Sequence, residues 1–322
     1  MIETRLTKFF GIKHPVLSAP MAYAAGGKLA SAVTRAGGLG LIGGGYGNAD
    51  WLKAAFQDAG NQKIGCGLIT WRLAEQPELL ELILNHAPAA MFLSFGDPEP
   101  FAPAIKAANV PLICQIQTLR DAKHAANSGA DVIVAQGAEA GGHGGSRATL
   151  TIVPEVADWL AKNAPDVVLC AAGGIADGRG LAASLMLGAD GVLVGSRFWA
   201  SNEAQVADAM HDAALAATGD ETVRSSVMDL ARDLNWPDRY SARVLQNEFT
   251  ERWHKDIEGL KAATKTVGPA WSAAWMKGDP KGSNTFIGEA AGLVHDIVPA
   301  AEIMTKMVAE AEALLGGSWK RI

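Results

Sequence analysis

Eight short runs before residue 201 are apolar throughout rather than at alternate positions. They are "HPVLSAPM" from His14, "LGLIGGG" from Leu39, "KIGCGLIT" from Lys63, "AAMFLSF" from Ala89, "VPLICQIQ" from Val110, "ADVIVAQG" from Ala130, "VVLCAAGGI" from Val167 and "ADGVLVGS" from Ala189. Unbroken apolar runs of this kind predict parallel strands covered on both faces. Helical patterns lie between them, among them "GKLASAVTRAG", "PELLELILNHA", "LRDAKHAANSG" and "GRGLAASLMLG". Three units end alike, in "RAGGLGLIGG", "NSGADVIVAQG" and "MLGADGVLVGS". In each, a glycine stands where the helix closes and the next strand follows almost at once.

Eight βα units predict an α/β protein built as a closed (β/α)8 barrel rather than a doubly wound sheet. A dinucleotide-binding fold would place GxGxxG after its first strand, where this chain reads "APMAYAAGG". Beyond Ala200 the strand pattern stops. Residues 201–217 read as helix, and 218–290, with "NWPDRY", "ERWHKD" and "AWSAAWMKGD", shows little β character. "VPAAEIMTKMVAEAEALL" is an amphipathic helix. The expected division is a barrel over 1–217, a helical cap over 218–290, and 291–322 returning as a C-terminal helix to the outer ring. A separate helical domain is the alternative for the middle segment. Its tryptophans read as core, or one of them as lining a substrate pocket.

Composition narrows the class. With 322 residues, 49% hydrophobic and 19% charged, the chain suits an enzyme-sized core and not disorder. A net charge of −6 without a basic block argues against a nucleic-acid partner. No long apolar run or signal-like start is present, so the expectation is a cytoplasmic protein without a membrane partner. Cys66, Cys114 and Cys170 form no CxxC and read as buried free thiols. They fall on the third, fifth and seventh strands, and alternate barrel strands supply one interior layer.

The glycines carry the candidate chemistry. "GLIGGGYG" reads as a loop near the barrel mouth, structural or ligand-contacting. "AAGGIADGRG" (171–180) and "GSRF" (195–198) follow the last two strands, where barrels commonly build a phosphate site from backbone N–H groups. Neither turn holds a lysine, leaving backbone dipoles and Arg197 as candidates for the phosphate charge. The plainer alternative is two tight turns, with Asp177 capping the next helix. "AQGAEAGGHGG" (135–145) sets one histidine between two pairs of glycines. Glycines give almost no side-chain packing, so the stretch predicts bare backbone against a flat ligand, with His143 as general base or acid. A solvent-exposed loop histidine is the alternative. No HxH or HxxxH occurs, and no metal site is expected.

Four blocks, "HPVLSAPMA", "AGGLGLIG", "QGAEAGGHGG" and "GGIADGRG…GADGVLVGSRF", resemble the nitronate monooxygenase family, formerly called 2-nitropropane dioxygenases, which are FMN-dependent (β/α)8 barrels. The resemblance runs from Ile12 to Ala204 and more faintly from Gly288 to Leu315. The third block is the most specific, because FMN barrels that reduce quinones or enoyl thioesters share the others more readily. By similarity, Pro20, Met21 and Ala22 would pass backbone under the isoalloxazine, Gln136 and Gly141 would touch the flavin, and Gln115 would lie near its polar edge. Gly173, Gly174, Gly195 and Ser196 would hold the phosphate beside Leu193 and Val194, and His143 would be catalytic. One departure is "GCGL", where many relatives carry a phrase like "GVNL"; Gly67 replaces an asparagine that lies against the ring.

The reaction implied is FMN-dependent oxidation of an alkyl nitronate, or of a nitroalkane after proton removal, by O2 to a carbonyl compound and nitrite. An NAD(P)H-dependent FMN reductase of quinones or enoyl thioesters is the first alternative. A flavin-binding protein without turnover is the second. The oligomeric state stays open, a homodimer included.

Overall fold

The computed structural model describes residues 1–317; residues 318–322, the end of the expected segment 291–322, lie outside them. In chain order the strands are β1 (Val16–Ser18), β2 (Leu41–Gly45), β3 (Gly65–Ile69), β4 (Met91–Ser94), β5 (Leu112–Ile116), β6 (Val132–Gln136), β7 (Gly142–Gly144), β8 (Val168–Ala172), β9 (Gly191–Val194), β10 (Thr222–Ser225) and β11 (Ser241–Leu245). Eight of them, all parallel, run in the order β1-β9-β8-β6-β5-β4-β3-β2. The ends of that order meet. Ser18 N donates to the Leu39 carbonyl at 3.1 Å, Leu39 N to that of Val16 at 3.1 Å, and Leu41 N to Ser18 Oγ at 3.0 Å. The eight apolar runs are thus the eight barrel strands, and helices separate them.

Period-two alternation sorts each strand's residues between two cores. Leu17, Leu41, Phe92, Ile113, Val134, Val168 and Leu193 fill the barrel interior. Leu6, on the N-terminal helix Arg5–Phe10, joins that interior and is fully buried. Their sequence neighbours, among them Ile42, Met91 and Val192, pack outward against the helices. Gly37, Gly129 and Gly188, the glycines that end the three similar units, adopt φ of +97°, +95° and +94°. This is the left-handed close that a Cβ disfavours.

The cysteines do not share a layer. Cys170 faces the interior, whereas Cys66 and Cys114 face the helices. Each strand's register decides this, and the alternation of strands does not. All three are buried and free, and burial pushes the thiols of Cys66 and Cys114 up to about 12. Buried and held protonated at neutral pH, they have the character of structural thiols.

The chain after β9 departs from the expected pattern in two places. Helix in 201–217 is confined to Asp208–Leu215. The segment 218–290 holds helices Val227–Ala231, Glu248–Trp253 and Ile257–Met276, but also β10 and β11. Those two strands pair antiparallel, and β11 pairs in turn with β7, so that Ala242 lies opposite His143. The expectation of little β character there is corrected. "TVRS" and "SARVL" are short and carry arginines, and their third strand is the glycine-flanked "GHG" far upstream. Helix Ala300–Leu315 packs on helices Gly178–Met186 and Gly27–Arg35, and Glu310 accepts a hydrogen bond from Gly178 N at 2.7 Å. No helix among the described residues is long and apolar enough to cross a membrane.

Candidate active site

A cavity of about 440 Å³ opens at the C-terminal ends of the barrel strands, the usual place for a barrel's active site. Pro20, Met21, Ala22, Gln115, Gln136, Gly141, His143, Gly173, Gly174, Leu193, Gly195 and Ser196 all line it. Val194 does not. Its side chain packs outward, and it contributes its carbonyl, which accepts from Ala19 N at 2.9 Å. Arg197 is also turned away. It is buried, donates to the carbonyls of Ala200 and Asp296 at 3.0 Å each, and pairs with the Asp296 carboxylate. The expectation that it carries a phosphate charge is corrected, because a carboxylate about a hundred residues downstream has already taken it.

Two glycine turns form one wall. Gly173 and Gly174 have φ of +103° and +74°. A Cβ on Gly195 would meet nothing closer than Ala19 Cβ at 3.6 Å, so the protein itself does not demand glycine there. Its absent side chain leaves backbone open to whatever fills the cavity. Asp177 does cap the next helix, accepting from the N–H groups of Arg179 and Gly180. The turns are therefore a helix start and a cavity wall at once. Together with the volume, which lies within the usual range for small-ligand sites, this wall fits a bound phosphate-bearing flavin.

The floor at Gly67 is apolar. A Cβ on Gly67 would lie 2.5 Å from Pro20 Cβ and 3.3 Å from Phe92 Cδ1. Pro20 and Phe92 fill the space an asparagine would need. Polar groups come instead from a chain of amides. Gln115 and Gln117 donate to Gln136 Oε1 at 3.2 and 2.8 Å, and Gln136 Nε2 donates to the His143 carbonyl at 3.0 Å.

The glycines around His143 serve the protein as well as the cavity. A Cβ on Gly141 would lie 2.5 Å from the Ile287 backbone, one on Gly144 2.8 Å from Arg224 Nη2, and one on Gly145 2.9 Å from Gln117 Cβ. Gly142 alone of the four, at φ +71°, has open space around it. The small residues let residues 220–290 close on the barrel, a role the bare-backbone reading did not include.

His143 is buried and held by groups that sequence reasoning missed. Its ring nitrogen Nε2 lies 2.9 Å from Asp229 Oδ2, and the other carboxylate oxygen accepts from Arg232 Nη2 at 2.8 Å. Trp236 stacks on the imidazole, with centroids 3.4 Å apart and planes within 5°. Its indole N–H donates to the Tyr46 hydroxyl at 3.1 Å. Burial pushes the His143 pKa down, the Asp229 bond opposes this, and burial wins. The ring is therefore neutral at pH 7. Asp229 and Arg232 stand in "VMDLARD", which shows no motif, and only the aromatic phrase around Trp236 gave any signal. Trp253 and Trp271 are core, whereas Trp236 and Trp275 line the cavity.

A barrel with a cavity at its strand ends, lined by glycine turns and a histidine held by a carboxylate, has the architecture of a barrel enzyme. The nitronate monooxygenase family model matches residues 3–61 and 69–310, and the chain belongs to that family. It is 32% identical to a nitronate monooxygenase of Neurospora crassa, over 96% of this chain and 92% of that protein. It is 33% identical to a hydroxy-methyl-oxo-octahydro-indene-carboxyl-CoA dehydrogenase of Mycobacterium tuberculosis, over 83% and 73%. Among solved structures it resembles FabK from Thermotoga maritima, with a TM-score of 0.86, 28% identity and 98% of each chain covered.

Proposed function

We propose that this chain is an FMN-dependent enzyme of the cytoplasm that oxidises alkyl nitronates with O2 to a carbonyl compound and nitrite. The observation that carries the reading is the His143–Asp229 pair at the cavity wall. A carboxylate can only accept, so it holds the imidazole proton on Nε2 and leaves the lone pair on Nδ1. Nδ1 has no hydrogen-bond partner among the described residues. A neutral imidazole with a free lone pair is equipped to take the proton next to a nitro group.

Pro20, Met21, Ala22, Gln115, Gln136 and Gly141 would hold the flavin ring, with Gly173, Gly174, Gly195 and Ser196 at the phosphate beside Leu193. Bound there, a flavin would supply the redox chemistry between the nitronate and O2. His143 converts a neutral nitroalkane into the anion that can be oxidised. Trp236 stacked on the imidazole, Phe95 edge to face with both rings, and Tyr46 edge to face with Trp236 keep bulk water from the base. A second reading, reduction or dehydrogenation of a thioester-linked substrate, draws on the carboxyl-CoA dehydrogenase relative.

Two assays on one preparation test the proposal. Flavin released by denaturation is expected to be FMN, since the proposed phosphate wall is two short glycine turns and no pyrophosphate fingerprint exists. A preformed nitronate in air is expected to yield nitrite without added NAD(P)H. FAD as the main flavin, or a nitronate left unchanged, would overturn the reading.

A further inference from the structure

We propose that Asp229 is a positioning residue: it fixes the tautomer and aim of His143, so that the base works only when helix Val227–Ala231 is seated on the barrel. The kinetic part rests on the nitronate reading; the tautomer does not.

Asp229 lies 86 residues beyond His143 and is 2% exposed. A carboxylate buried without a counter-charge is costly. Arg232 supplies that charge. It bonds Asp229 Oδ1, and it is itself anchored by donating to the Met228 carbonyl at 3.0 Å and the Tyr46 hydroxyl at 3.3 Å. On the barrel side, His143 is fixed by its backbone, through Gln136 and the β7–β11 pairing. Asp229 therefore sets what the backbone cannot: the ring's rotation and the nitrogen that carries hydrogen.

The charged and titratable groups facing His143 come from three elements. Asp229 and Arg232 stand on the helix and its end, Arg224 on β10, and Tyr46 after β2, with Tyr240 across Phe95. Both arginines disfavour the imidazolium, and Asp229 favours it. Removing Asp229 should therefore lower the His143 pKa. Removing Arg232, which leaves Asp229 without its counter-charge, should raise it.

The test is a pH titration of ¹⁵N-histidine-labelled, flavin-loaded protein by long-range ¹H–¹⁵N correlation. His143→Gln assigns one signal among seven histidines. The expected result is hydrogen on Nε2 in the wild type, a lower midpoint in Asp229→Asn and a higher one in Arg232→Met. For a neutral nitroalkane, Asp229→Asn should lose on the order of 10²-fold in kcat/KM, the scale of a misplaced catalytic group, and far less for a preformed nitronate. Hydrogen on Nδ1 in the wild type, or midpoints that shift together or not at all, would overturn the proposal. Should Asp229→Asn fail to fold, the wild-type tautomer and the Arg232→Met shift decide it. Opposite shifts in a protein that oxidises no nitro compound would sustain the positioning role and defeat the nitronate reading.

Discussion

His143→Ala is expected to lose about 10²–10⁴-fold in kcat/KM toward a neutral nitroalkane, the usual worth of a general base, while keeping its flavin. Flavin should be retained because the contacts that hold this loop are backbone contacts. Gln136 donates to the carbonyl of residue 143, and β11 pairs with Gly142–Gly144, neither of which needs the imidazole. A preformed nitronate has no proton to surrender, so its loss should be much smaller. The wild-type pH profile follows from the same ring. Burial lowers the His143 pKa, so the neutral base persists to pH values below the ordinary 6.5, and activity on the neutral substrate falls only there. Steady-state rates with both forms of one nitro compound measure this. Equal losses for the two forms would mean that His143 stabilises bound charge; no loss for either would remove it from the chemistry.

Gly43→Val is expected to empty the cavity without altering any polar side chain. Gly43 lies in β2, and a Cβ there would stand 2.1 Å from the Met21 carbonyl oxygen and 2.3 Å from its carbon. Backbone cannot yield as a side-chain tip can, so the "APMA" loop must move off the cavity. Overpacking of a core typically costs about 1–3 kcal/mol, and contact with backbone places this case at the upper end or beyond. The expected outcome is a lower unfolding temperature and little co-purified flavin. Gly195→Ala is the contrast, since its Cβ meets only ordinary contacts; it should fold normally and lose flavin alone. Full flavin content and unchanged stability in Gly43→Val would contradict this view of the loop.

The barrel was legible because strands covered on both faces write themselves as unbroken apolar runs, and all eight did. The glycines of the cavity wall were legible for a related reason: turns at the ends of the last two strands need particular backbone, and few residues supply it. What escaped the sequence depends on pairs formed across the fold. Asp229 is one acid in a helix of five residues, and its meaning comes from lying 2.9 Å from an imidazole on another segment. β10 and β11 are short and partly polar, and nothing local announces that "GHG" will pair with them. Arg197 misled for the converse reason. Its position beside the turn was right, and its direction was set by Asp296. The glycines flanking His143 were read for the ligand, while Gly141 and Gly145 are also required by the protein atoms packed against them.

The most direct test of nitronate oxidation is an anaerobic titration of the flavin-loaded protein, first with an alkyl nitronate and separately with NADPH, following the flavin absorbance. Bleaching by the nitronate, none by NADPH, and recovery of colour with nitrite formation on admitting air is the result expected. Prompt bleaching by NADPH and none by the nitronate would contradict it, and would make the chain a pyridine-nucleotide-dependent reductase.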